Sequence, residues 1–116
     1  MIDKRLLGTW KSDCRKTLHE IAQWRDISEP QRKHAKRILG KLRVRFTRTR
    51  VYSEFFGEKS VGPCRVVAKD ATSVAVLGPA WWDEDEQEIA HIHFEGKYYW
   101  VWCPVGNFVE YFRKIE

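Results

Sequence analysis

His91 and His93 stand two residues apart in the segment from Glu88 to Phe94, which alternates as a β-strand does. Alternate strand residues share a side, so the two imidazoles are neighbours, and Glu95 has the same parity. Neutral imidazole and carboxylate are ligands for Zn, Fe or Cu. No third ligand stands at a motif spacing, so a metal protein or enzyme built on His91 and His93 ranks third among the functional expectations, and no metal is assigned. A second pair is Cys14 with His19. Five residues is a poor helical facing, since side chains three or four apart meet. A helix N-terminus lowers a thiol pKa, yet nothing completes a nucleophilic site around Cys14. No motif names a reaction or a cofactor, and binding is expected in preference to catalysis.

The neighbouring segment, Tyr98 to Cys103, adds to the histidine pair. A two-residue Glu95-Gly96 loop pairs Phe94 with Lys97, His93 with Tyr98, His91 with Trp100 and Ile89 with Trp102. One side then carries Ile89, His91, His93, Tyr98, Trp100 and Trp102; the other carries Ala90, Ile92, Phe94, Tyr99, Val101 and Cys103. The second set reads as core. The first is aromatic with polar handles, which suits the wall of a cavity for a small, largely apolar ligand, or a stripe that packs under other elements.

A basic run supplies a third chemistry. Between Arg25 and Arg50 there are ten Lys or Arg and two acids, Asp26 and Glu29, while elsewhere acids outnumber bases. Lys41, Arg43 and Arg45 alternate with Leu42, Val44 and Phe46, and Lys33, Lys36 and Arg37 precede them. Such a row meets phosphates, and an exposed Tyr52 or Phe56 stacks on bases. A solvated charged face is the ordinary explanation, and no known nucleic-acid motif is present. The resulting alternative function is a basic interaction module for RNA or an acidic protein partner, using residues 32–50.

The elements that must position these groups follow from the punctuation. At 116 residues the chain is expected to be one domain, 1–116. It shows no signal peptide and no apolar run of membrane-spanning length, so no membrane partner is expected. Its three cysteines, Cys14, Cys64 and Cys103, suit a reduced cytoplasmic protein, monomeric or homodimeric. Ser12 or Asp13 caps a helix from Cys14 to about Trp24, with Leu18, Ile21, Ala22 and Trp24 on its dry face. Ser28 and Pro30 start a second helix that runs to Leu39 and stops at Gly40. Strands are expected at Leu6 to Asp13, Leu42 to Phe46, Val51 to Phe56, Cys64 to Lys69, Ser73 to Leu77, Glu88 to Phe94, Tyr98 to Cys103, and Val109 to Ile115. Gly57-Glu58-Lys59 reads as a turn, Trp81-Trp82 as the opening of an acidic loop, and Pro104-Val105-Gly106-Asn107 as another turn. These short connections predict a mainly β fold: an eight-stranded antiparallel up-and-down barrel with a helical insertion, about 14–39, between strands one and two.

Two segments, Leu7-Gly8-Thr9-Trp10-Lys11-Ser12-Asp13 and Glu110-Tyr111-Phe112-Arg113-Lys114, resemble the first-strand and last-strand signatures of the lipocalin-like (calycin) barrels. The chain also has the length and strand spacing of small bacterial lipocalin-like domains. The resemblance implies a closing clasp in which a last-strand cation lies across the first-strand Trp; here Gly8, Trp10 and Arg113 would form it. It also implies a small hydrophobic ligand in the barrel, bound without catalysis, which is the leading functional expectation. The helical insertion and the lack of disulfide pairs depart from secreted lipocalins and argue against extracellular transport.

Overall fold

Asp13 ends a strand and starts a helix within one residue. The computed structural model describes residues 2–80, 83, 85–103 and 108–116. β1 spans Gly8–Ser12, and the extended Asp13 then turns its carboxylate to accept the Lys16 N–H at 2.9 Å, capping α1, Cys14–Trp24. Ser28 caps α2, Glu29–Ile38, in a reciprocal box with Gln31, and Pro30 sits in the first turn. Gly40 leaves the second helix with a φ of 84°, open to glycine at little steric cost. On α1 the buried residues are Thr17, Leu18 and Ile21. Ala22 and Trp24 were expected among them and are exposed. Trp24 shares the phase of Ile21 but is the last helical residue, and it is 84 % exposed.

The remaining strands are β2 Arg43–Phe46, β3 Arg50–Phe55, β4 Glu58–Pro63, β5 Arg65–Lys69, β6 Ser73–Pro79, β7 Gln87–Glu95, β8 Tyr98–Cys103 and β9 Phe108–Lys114. Among the described residues that makes nine strands in one antiparallel sheet, ordered β4-β3-β2-β1-β9-β8-β7-β6-β5. Eight were expected, and β4 is the addition. Gly57-Glu58-Lys59 does not close β3 as a turn. Phe56 and Gly57, at φ 51° and 82°, make the reversal, and Glu58 already begins the next strand. The sequence of β4 is polar and ends in Gly62-Pro63, an edge-strand composition that hides its pairing. The Trp81-Trp82 opening of the acidic loop and the Pro104–Asn107 turn lie outside the described residues.

Every pairing is antiparallel, so tracing directions around the sheet gives β4 and β5 the same sense, with only Cys64 between them. They form one chain pass, bent at Pro63-Cys64, that pairs with β3 in its first half and β6 in its second. The bend brings the ends of the sheet together as a nearly closed barrel. A Cβ at Gly62 would stand 2.9 Å from Pro79 Cγ, so the close approach requires glycine there.

Inside, Tyr99 is the hub: its ring stacks on Phe112 at 4.7 Å, meets Trp10 at 4.7 Å and Phe46 at 6.4 Å. Leu6, Val74, Val76 and Ile92 complete the buried cluster with Ile2 and Cys64. The segment before β1 closes one barrel end. The Ile2 N–H donates to the Arg48 carbonyl, and the Arg5 guanidinium donates to the carbonyls of Asp70 and Ala71. The helical insertion runs between the exit of β1 and the entry of β2, with α1 packed against β9. No helix among the described residues is long and apolar enough to cross a membrane.

Candidate functional site

Trp10 is buried on the inner side of β1, and its indole N–H donates to the Leu6 carbonyl at 2.9 Å. The expected clasp partner, Arg113, is not across it. Trp10 is in register with Lys114, whose ammonium lies 5.9 Å from the indole, while Arg113 is in register with Lys11. Strand alternation therefore sends Arg113 outward, where it reaches Asp13 at 3.6 Å. Gly8, at φ 121°, is required: a Cβ there would collide with the Glu116 carbonyl oxygen. The Thr9 N–H donates to that same carbonyl at 3.1 Å, and the Ile115 N–H returns a bond to Thr9 at 2.8 Å. The clasp is thus mainly backbone.

The β7–β8 hairpin turns at Gly96-Lys97, so His93 faces Trp100, Phe94 faces Tyr99 and Glu95 faces Tyr98. The expected register is off by two residues, which preserves every side assignment. Ile92 and Tyr99 are in the core. The candidate ligand residues His91, His93, Tyr98, Trp100 and Trp102 are on the outer face, where Ile89 and Trp102 are more than half exposed. They do not line the barrel interior, which is the correction to the cavity-wall expectation. His91, His93 and Trp100 pack on one another instead, and the Tyr98 ring meets Tyr111 edge to face. The His93 ring stacks on Trp100 at 3.9 Å and 12°, and the His91 ring follows at 4.2 Å. Burial and then the neighbouring His91 lower the His93 pKa. His91 Nε2 is 3.3 Å from Ser73 Oγ. Among the described residues no third His, Cys, Asp or Glu joins the pair as a ligand set.

The basic row divides. Lys33, Lys36 and Arg37 are exposed along α2, which buries none of its own residues. Burial raises the Cys14 thiol pKa, and the charges of Lys36 and Lys41 pull it down less, so the lowered pKa expected of a helix N-terminus is not found. His19 is exposed. Arg43 and Arg45 project from the outer side of β2 into an open groove of about 550 Å³ over β1 to β4. Thr9, Tyr52, Glu54, Lys59 and Val61 line the same groove. Arg45 lies opposite Tyr52 and its guanidinium stands 4.7 Å over that ring, which fixes the fork in the groove. Glu54 pairs with Lys59 at 3.6 Å, and the lining as a whole carries Arg43, Arg45 and Lys59 against that one carboxylate.

One polar site escaped the sequence reading. Glu110 has the parity of Phe112 and points inward, where burial raises its pKa and the Ser12 hydroxyl, donating at 2.6 Å, opposes the rise. Ser12 Oγ also accepts the Gly40 N–H at 3.1 Å, tying β9 to β1 and to the end of the helical insertion. The signal was a carboxylate between Val109 and Tyr111 in an apolar strand, legible only once its parity was known. No protein-family model, curated protein or solved structure matches this chain.

Proposed function

We propose that the protein is a binding module that holds an anionic partner on the outer face of β1 to β4. The observation that carries this reading is the groove in which Arg43 and Arg45 stand side by side beside an exposed Tyr52. Two cations on one strand face are about 7 Å apart, and a single polyanion meets both without bending the strand. Phosphate or carboxylate accepts bidentate bonds from each guanidinium, which lysine does not offer. Lys41 and Lys36 extend positive charge toward the helical end of the barrel.

A small apolar ligand in the barrel draws less support, because the residues assigned to hold it stand outside and Leu6, Trp10, Phe46, Tyr99 and Phe112 occupy interior positions. We also read the barrel as lipocalin-like, supported by Gly8-Thr9-Trp10 on the first strand and its backbone bonds to the end of the last. The test is binding of labelled polyphosphate, poly-glutamate and oligonucleotide to wild type and to Arg43→Ala/Arg45→Ala. Binding of at least one polymer at 50 mM salt, abolished in the double variant, is expected. Wild type that binds none of the three overturns the reading.

A further inference from the structure

Phe56 is held in a conformation its side chain disfavours. At φ 51° it is the one non-glycine residue with positive φ among the described residues. It makes the β3–β4 reversal with Gly57, a position at which Asn or Gly is the usual choice. Burial does not compensate, since Phe56 is 62 % exposed and Phe55 beside it 41 %. The two rings meet edge to face at 4.5 Å, so the tip presents an aromatic pair to solvent. Strained residues that folding does not need gather where function does.

The tip adjoins the Glu54 and Lys59 end of the groove. Tyr52 and Glu54 lie on the outer side of β3, facing Arg45 and Arg43, and Phe56 follows two residues on, in the turn just past the end of the strand. At about 3.3 Å per residue, β3 runs about 10 Å from Tyr52 to Phe55 at the foot of the tip, with both arginines alongside. Aromatic faces spaced along a cationic strip match a chain that alternates π surfaces with negative charge. An acidic polypeptide supplies the charge without the bases, and a duplex keeps its bases inside its own stack.

Resting on the reading of this face as an anion-binding surface, we infer that the partner is a single-stranded nucleic acid whose unpaired bases stack on Phe56 and Tyr52 while its phosphates meet Arg43 and Arg45. The Phe55 ring meets the Phe56 ring edge to face.

The experiment compares a labelled 12-nucleotide oligothymidylate, the same strand paired with oligoadenylate, and poly-glutamate, against wild type, Phe56→Gly and Arg43→Ala/Arg45→Ala in 50 mM salt. Glycine is at ease at positive φ, so Phe56→Gly is expected to fold with a Tm no lower than wild type. The single strand is expected to bind at least about tenfold tighter than the duplex or poly-glutamate. Loss of a stacking platform should weaken single-strand binding about five- to a hundredfold in Phe56→Gly and leave poly-glutamate binding unchanged. The double arginine variant should weaken every polymer that binds. An unchanged single-strand affinity in Phe56→Gly overturns the inference, as does duplex or poly-glutamate binding as tight as the single strand; the latter assigns the face to an acidic protein. Failure of all three polymers to bind wild type overturns the anion-binding reading itself.

Discussion

Glu110 points into the barrel from β9, where leaving water disfavours its charge and the Ser12 hydroxyl returns one hydrogen bond. A carboxyl whose folded pKa is raised binds its proton more tightly folded than unfolded. Its contribution is intact below the ordinary carboxylate range and is lost as pH rises through the folded value. Glu110→Gln keeps an acceptor for Ser12 and removes the charge. The Tm of that variant relative to wild type is therefore expected to rise as pH climbs from the ordinary carboxylate range through the raised folded value, and to level off above it, in thermal melts; a difference independent of pH would contradict the assignment. Trp10 makes a different argument. It is 4 % exposed and touches the Tyr99 hub, so Trp10→Ala should cost about 3–5 kcal/mol in a denaturant titration. Arg113→Ala should shift stability by well under that, because its partner Asp13 is met at the surface.

The two helices of the insertion differ in what they contribute. α1 lays Thr17, Leu18 and Ile21 into the molecule, and the Thr17 hydroxyl accepts the Tyr111 N–H at 3.0 Å, so α1 is bound to the outer side of β9. Above it the Lys16 ammonium lies 5.0 Å from the Tyr111 ring. Burial, followed by the carboxylates of Glu95 and Glu20, pushes the Tyr111 phenol up to about 12. α2 buries no residue and relies on its own capping box. Ser28→Ala removes about 1 kcal/mol of cap energy from a helix the core does not hold. Hydrogen exchange in α2 should accelerate several-fold while the global Tm stays within about 1 °C of wild type. A global Tm loss of several degrees would mean that α2 is packed more firmly than its burial indicates.

At the scale of the whole molecule, charge is sorted by region. The net charge is +5, yet Asp83, Asp85 and Glu86 stand on the β6–β7 connection and the cations concentrate on α2 and β2. The sheet order sets β2 and β7 four strands apart, so the basic groove and the His–Trp stack face different directions. A polyanion on the basic side releases counterions in proportion to the phosphates it neutralises, with a slope of about −0.7 per contact for a single strand. Removing Arg43 and Arg45 together should lessen the slope of log K against log salt by about 1.4. A salt series on both proteins checks this, and equal slopes would place the anion elsewhere.

The local elements were legible because their causes are local. Asp13, Ser28, Pro30 and Gly40 carry their instructions within three or four residues, and the alternation of Leu42, Val44 and Phe46 with Lys41, Arg43 and Arg45 already placed the arginines on the wet side of β2. Parity also survived a wrong hairpin register, because a slip of two leaves each side chain on its face. What the residues could not say was which face is inside. The aromatic side of the β7–β8 hairpin turned outward because Ile92 and Tyr99 had Trp10 and Phe112 to meet within, and those partners come from opposite ends of the chain. The same holds for Lys114 in place of Arg113 over Trp10, for the β4–β5 bend that Gly62 permits against Pro79, and for the inward aim of Glu110. The sequence by itself determined caps, turns and strand parity; only the closed sheet decided the sides, since that choice is set by contacts across nearly the whole length of the chain.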